Sequence, residues 1–188
     1  MIWNIPKITE LKKLSFSELQ TSKSPGSQSL IYLLLKRIID VFFSLLVLVF
    51  FAPIWLIIIL FIRVNSKGNA LFCHERVGEK GKNFKMYKFR TMHVDVNNQE
   101  FAPTSLSDPR ITPIGKFLRR TSLDEVPQFY NVLKGEMSIV GPRPEMPFIV
   151  ATYNAKEQIR LLVKPGITGL WQIHGRKDLP LHENVEYD

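Results

Sequence analysis

The chain has 188 residues, 45% of them hydrophobic, and a formal net charge of +8. Residues 63–188 alone number 126, enough for one domain with its own core, and carry 19 Lys/Arg against 14 Asp/Glu. That basic balance suits phosphate-bearing partners (nucleotides, anionic lipid headgroups or nucleic acid) without choosing among them. A single cysteine, Cys73, excludes an internal disulfide and is expected to be a small buried hydrophobe. No cleavable secretion signal is evident, because the main apolar run is too long and too far from the N-terminus.

Residues 1–21 place Ile5, Ile8, Leu11 and Leu14 at spacing three among Glu10 and lysines, the pattern of a short amphipathic helix. It suits packing on the protein or lying on a membrane surface equally well. Ser22 to Ser29, with Pro25 and Gly26, reads as a linker. Lys36-Arg37-Ile38-Ile39-Asp40 then leads into the uncharged run Val41 to Ile62, broken at Ala52-Pro53. The run could cross a hydrocarbon core of roughly 30 Å. Basic residues flank both of its ends, however: Lys36 and Arg37 before, Arg63 and Lys67 after. Both ends therefore favour the cytoplasmic face, and Pro53 supplies a kink, so a re-entrant helix hairpin is expected and a kinked single span is the alternative. Asp40, at the interface end of the run, is expected to pair with a basic neighbour and to orient the hairpin.

Leu71 to Cys73 reads as extended, and Phe84 to Phe89 alternates apolar and basic residues like a strand. The cations from Arg76 to Arg90, Lys88 among them, form either a solvated edge near anionic lipid or part of a phosphate site. Residues 94–113 read as a loop with a turn at Asp108-Pro109-Arg110, and residues 114–120 as a short helix. Val126, Phe129, Tyr130 and Leu133 predict one buried helix face, closed by Lys134-Gly135. Gly141-Pro142-Arg143-Pro144 predicts a rigid turn, residues 148–162 a helix, and Lys164 to Gln172 a glycine-bearing loop leading to an extended segment.

The sharpest local feature is the adjacent pair Asp124 and Glu125. Ser122 with Glu125 is also a capping box, so the pair has a purely structural explanation. Two facts favour chemistry: Arg119, Arg120 and Arg143 supply forked donors for phosphate oxygens, and a helix N-terminus stabilises phosphate. No partner pattern supports zinc, whereas carboxylate oxygens beside phosphates suit Mg²⁺. No P-loop, dinucleotide fingerprint, nucleophile elbow or zincin motif is present, and the four histidines are scattered.

Six motifs in this order resemble the bacterial sugar transferase family, the monotopic polyprenyl-phosphate phosphoglycosyl transferases. They are Lys36 to Asp40 with the proline-broken run, Tyr87-Lys88-Phe89-Arg90-Thr91-Met92, Asp108-Pro109-Arg110, Thr121 to Gln128, Gly141 to Pro144, and Lys164 to Gly169. The resemblance covers residues 34–188. It implies a mostly helical α/β enzyme with short strands, seated by its Pro53-kinked re-entrant hairpin and interfacial amphipathic helices on the cytoplasmic face of the bacterial inner membrane. Three parts are expected: residues 1–33 as an accessory segment, 34–67 as the hairpin, and 68–188 as the catalytic domain. The implied reaction moves sugar-1-phosphate from a nucleoside-diphosphate sugar, usually a UDP-sugar, to polyprenol (undecaprenyl) phosphate, opening the assembly of glycans such as capsule, O-antigen or exopolysaccharide. Asp124 would be the nucleophile, forming a covalent phosphosugar intermediate, with Glu125 assisting and Mg²⁺ required. Arg119 and Arg143 are expected on the diphosphate, with Lys88 near the substrate and Arg176 as a further candidate.

The sequence departs from the family at Ala52, where many relatives have serine before the proline, and ends where relatives usually continue, so a truncated domain is expected. The rival readings are a membrane-tethered module that binds anionic lipid or nucleotide without turnover, and a lipid phosphatase. Nucleic acid is not an expected partner, because aromatic and basic residues do not interleave at stacking intervals.

Overall fold

The computed structural model of the protein describes residues 29–94, 103, 105 and 107–174. The expected amphipathic segment at residues 1–21, the linker up to residue 28 and Arg176 lie outside them.

Two helices come first, α1 (Leu30–Phe50) and α2 (Ala52–Asn65), bent by 62° at Phe51. Pro53 stands in the first turn of α2, where its missing N–H costs nothing, so it starts a second helix in place of breaking one. The Trp55 indole N–H donates to the Val47 carbonyl at 3.3 Å, an acceptor it shares with the Phe51 N–H, so the side chain bridges the bend. Among the described residues no single helix is long and apolar enough to cross a membrane; the bent pair passes that test only jointly. Most of its large apolar side chains, from Leu30 to Val64, are exposed. The exceptions are specific. Ile58 and Ile62 of α2 are buried and, with Trp55 and Ile59 beside them, pack on Ala70, Phe89 and Leu118 in one core cluster.

Next comes an antiparallel hairpin of β1 (Leu71–Val77) and β2 (Asn83–Phe89), paired from Leu71↔Phe89 to Val77↔Asn83. Phe84 and Met86 face a second core cluster with Val132 and Met137 while Lys85 faces out, as the alternation required. β1 is longer than expected, and its alternation leaves Cys73 exposed, not buried: it lies on the outward face of a two-stranded ribbon. Helix α3 (Pro113–Thr121) begins at Thr112, whose hydroxyl accepts from Gly115 N–H at 3.0 Å. Gly115 is obligatory there, since a Cβ would stand 2.1 Å from the Thr91 carbonyl oxygen.

Helix α4 (Gln128–Lys134) does not bury the expected face. Gln128, Asn131 and Val132 are buried, whereas Tyr130 is exposed. Hydrogen bonding overrides hydrophobic periodicity here. Asn131 Nδ2 donates to the Lys85 carbonyl at 2.7 Å and to Glu136 Oε2 at 2.7 Å, and its Oδ1 accepts from Tyr87 N–H at 3.1 Å. The amide thus pairs with the free edge of β2 as another strand would. Gly135, at φ 82°, ends α4 as expected.

Strands β3 (Ser138–Val140) and β4 (Gly166–Thr168) form a parallel pair with Ser138↔Gly166 and Val140↔Thr168 in register. The helix expected over residues 148–162 is interrupted. Pro147 opens α5 (Pro147–Val150), and Asn154, in a capping box with Glu157, opens α6 (Ala155–Gln158), which runs into a 3₁₀ turn (Ile159–Leu162). After β4 the chain forms a helix, α7 (Leu170–His174), where an extended segment was expected. The described fold is therefore mixed α/β, rich in helix, with short strands.

Candidate functional site

Asp124 and Glu125 lie in a 3₁₀ turn (Leu123–Glu125) between α3 and α4, 7% and 6% exposed. The expected capping box does not form. Ser122 closes α3 in the left-handed region (φ 61°) and makes no side-chain cap, and Pro127 delays α4 to Gln128. The structural explanation for the dyad is thereby weakened: these carboxylates are not caps, and their burial needs another reason.

That reason is a ring of cations. Lys88 Nζ and Arg143 Nη2 both donate to Glu125 Oε1, at 3.0 Å and 3.2 Å. Lys88 arrives from β2, and Arg143 from the loop between β3 and α5. Burial pushes the Lys88 pKa down, against the upward pull of Glu125, and Arg143 pushes it down further. On the other flank Arg119, from the last turn of α3, donates from Nε to Thr91 Oγ1 at 2.9 Å and from Nη1 to the Pro103 carbonyl at 3.5 Å. Burial lowers its pKa, and Asp124 is the leading carboxylate acting the other way. Beside it Asp108 and Arg110 form a forked pair at 2.8–3.1 Å, and the hydrogen bonds from Arg110 hold the Asp108 carboxyl down at about 2. The Asp-Pro-Arg turn is thus itself salt-bridged and sits in the field of Arg119.

The structure thus brings Lys88 and Arg143 onto Glu125 and sets Arg119 in the field of Asp124. Arg120, in contrast, is exposed. Lys36, Arg37 and Asp40 are placed elsewhere, where they fasten α1 to the domain. The buried Asp40 accepts from Ser138 Oγ at 2.9 Å and from Ile139 N–H at 3.2 Å, and its basic partner is Lys36 at 3.5 Å. Lys36 also bonds Ser138 Oγ. Arg37 donates to the Val132 and Leu133 carbonyls at 2.6 Å and 2.8 Å, a cation on the C-terminal end of α4. Asp40 therefore has a basic partner, as expected, in Lys36, and a second partner in Ser138. The other end of the helix pair is also fastened: Arg90 donates to the Ser66 and Lys67 carbonyls at 2.7 Å and 2.8 Å.

Several of these residues have no signal in the sequence. Thr91, Asn131 and Ser138 are small polar side chains whose roles depend on partners 28, 44 and 98 residues away. Only the Thr91 position falls within a motif singled out above.

A divalent cation would find two neighbouring carboxylates here and nothing more, since among the described residues no group of three His, Cys, Asp or Glu side chains converges. Two hard oxygen donors with the remaining positions left to water and substrate phosphates is the donor set that Mg²⁺ takes, so the residues fit it.

Comparison with known proteins places this geometry in context. The model of the bacterial sugar transferase family matches residues 31–188. Galactosyl transferase CpsE of Streptococcus agalactiae is 44% identical over 162 residues, 79% of this chain and 35% of that protein. Undecaprenyl-phosphate galactose phosphotransferase of Salmonella typhimurium is 41% identical over 172 residues, 82% of this chain and 35% of that protein. Exopolysaccharide production protein ExoY of Sinorhizobium fredii is 37% identical over 168 residues, 81% of this chain and 74% of that protein. The aligned part of the chain thus spans about a third of the length of the first two relatives and most of the third. With a match across nearly all of its described residues, the chain belongs to the bacterial sugar transferase family.

Proposed function

We propose that this chain transfers sugar-1-phosphate from a nucleoside-diphosphate sugar, a UDP-sugar by preference, to undecaprenyl phosphate or a similar polyprenol phosphate. The observation that carries the reading is the buried Asp124–Glu125 dyad set among Lys88, Arg119 and Arg143. Relatives whose names state undecaprenyl-phosphate sugar phosphotransfer support the substrate pair.

In this reading an Asp124 carboxylate oxygen attacks the phosphorus that carries the sugar. The bond from that phosphorus to the bridging oxygen breaks, and the nucleoside monophosphate leaves with the electron pair. A phosphate oxygen of the polyprenol phosphate then attacks the same phosphorus, the acyl phosphate bond breaks, and Asp124 is regenerated as carboxylate. Neither displacement needs a proton transfer, because both nucleophiles are already anionic. What each needs is neutralisation, since an anion approaches an anionic phosphate. Arg119 and Arg143 meet the diphosphate from opposite flanks of the dyad, and Lys88 with Arg143 fixes Glu125 beside it. Mg²⁺, held by Asp124 and Glu125 together with substrate phosphates, would add charge neutralisation at the same point.

The acceptor is a lipid, and the helix pair gives the site its address. Twenty exposed large apolar side chains on two helices bent by 62° fit a hairpin that enters and leaves one leaflet, the cytoplasmic face of the inner membrane. Tags at the N-terminus and after Lys67 would then report the same side.

The decisive assay offers a panel of nucleotide-sugars with polyprenol phosphate and scores nucleoside monophosphate release, alongside trapping of labelled phosphosugar on the protein. Asp124→Asn should abolish the label. Label persisting at the wild-type level would sink the nucleophile assignment, and absence of nucleotide release across the panel would leave a binding module as the better reading.

A further inference from the structure

Arg143 reaches Glu125 from a segment without regular secondary structure, residues 141–146, yet its backbone is held at every step. Four successive carbonyls each accept from a different donor. Pro142 O accepts from Gly166 N–H at 2.8 Å, and Glu145 O from Val77 N–H at 2.9 Å. Between them, Arg143 O accepts from Arg160 Nη2 at 2.9 Å, and Pro144 O from Arg76 Nη1 at 3.4 Å. The outer two donors are backbone; the inner two are guanidinium groups.

Only a small cleft of about 10 Å³ lies along this segment, lined by Val77, Pro142, Arg143, Arg160, Leu161 and Val163, and the hydrogen bonds hold the backbone beside it. Arg160 is itself anchored. It is 8% exposed, donates from Nη1 to Tyr153 Oη at 2.9 Å, and lies 5.8 Å from the Tyr153 ring centroid. Arg76 makes a second contact with Glu145 Oε2 at 3.5 Å, which ties the far end of the segment to β1. A planar fork with several donors can bond a carbonyl and an anchor at once, which a shorter neutral side chain cannot.

We propose that Arg160, with Arg76 beside it, is a positioning residue that aims Arg143 at Glu125 and at substrate phosphate, acting on Arg143 through its own carbonyl and not on the substrate. The inference rests on the phosphoryl-transfer reading only for its activity readout. A displacement of about 1 Å in such a group is enough to cost roughly 10²-fold in rate.

The test is a double-mutant cycle in the full chain, assayed by nucleoside monophosphate release. Arg160→Gln should lower kcat/KM by about 10²-fold in the wild-type background and by less than about twofold when Arg143 is already alanine. Equal losses in both backgrounds would overturn the proposal, because a residue that merely stabilises the fold acts whether or not Arg143 is present. Hydrogen exchange of peptides covering residues 139–146 gives a second readout that needs no turnover. Faster exchange confined to those peptides in Arg160→Gln supports the proposal, and unchanged exchange refutes it. Should the wild type release no nucleotide, the functional reading fails while hydrogen exchange still decides this one. Should Arg160→Gln not fold, Tyr153→Phe, which removes the Oη that accepts from the Arg160 guanidinium, enters the same cycle with the same two outcomes.

Discussion

Lys88→Met separates the chemistry of the site from its stability. Lys88 Nζ and Arg143 Nη2 share one oxygen of Glu125, at 3.0 Å and 3.2 Å, and the Lys88 and Glu125 side chains are 17% and 8% exposed. A charge-assisted hydrogen bond of this kind contributes about 1.5–3 kcal/mol. Against that stands the desolvation of Lys88 and its repulsion by Arg143, the two effects that pull its pKa down. Methionine keeps the apolar stem and removes both penalties, and Arg143 still pairs Glu125. The net loss should be about 1 kcal/mol, or about 2–4 °C in Tm for a chain of this size. Activity should fall far more, about 10²–10³-fold, the effect of removing one preorganised charge from a phosphoryl-transfer site. pH gives a second signature with opposing signs. Between the lowered folded pKa and the ordinary lysine value the unfolded chain binds more protons, so this group's contribution to stability rises with pH. Over the same window the folded protein loses the Lys88 charge, so wild-type nucleotide release should show a basic limb that Lys88→Met lacks. Nucleotide release within threefold of wild type, or a loss no larger than the melting shift accounts for, would refute the reasoning.

Asp40→Asn should detach α1 from β3. It removes the charge facing Lys36 and turns an acceptor shared by Ser138 Oγ and Ile139 N–H into a group half made of donors; the cost, about 2–3 kcal/mol, should appear as a lowered melting midpoint in detergent, which an unchanged midpoint would contradict. Asn131→Ala leaves Tyr87 N–H and the Lys85 carbonyl on the β2 edge without their partner and should cost about 3 kcal/mol, read by urea unfolding, whereas Asn131→Asp keeps the acceptor alone and should cost more through repulsion with Glu136. The Asp108 carboxyl should titrate by NMR at about 2, its contribution to stability complete above the ordinary carboxylate range and lost as pH falls toward 2; a midpoint in the ordinary range would mean that the Arg110 fork does not persist in solution.

The residues that carry charge at the site were legible because their motifs are local. Asp124-Glu125, Lys88 and Arg143 each sit in a short run whose composition is unusual on its face, and Pro53 marks the first turn of α2, the place in a helix where proline is tolerated. What was not legible is every role defined by a distant backbone group. Apolar spacing nominated Tyr130 for the core of α4, yet the helix turns instead to let Asn131 serve as a substitute strand edge. Cys73 reads as core by residue type and is outward by register, and register is set by the Leu71↔Phe89 pairing, which no window around Cys73 contains. Ser122 reads as a cap to its own helix and instead ends the preceding one in a left-handed conformation, because Pro127 moves the next helix start beyond reach.

Register has a further consequence at the end of β2. Lys88 points to Glu125, Phe89 enters the core with Ile58 and Ile62 of α2, Arg90 holds the Ser66 and Lys67 carbonyls at the end of α2, and Thr91 accepts from Arg119. Four consecutive residues thus serve one flank of the dyad, the seat of the apolar helix pair, the end of that pair, and the other flank of the dyad. A shift of one residue in the β1–β2 pairing would exchange the faces of all four at once, so the dyad's cations and the helix pair cannot be misaligned separately. The dyad is therefore tied to α2 through this one segment of chain, while Arg37 and Asp40 tie α1 to α4 and β3.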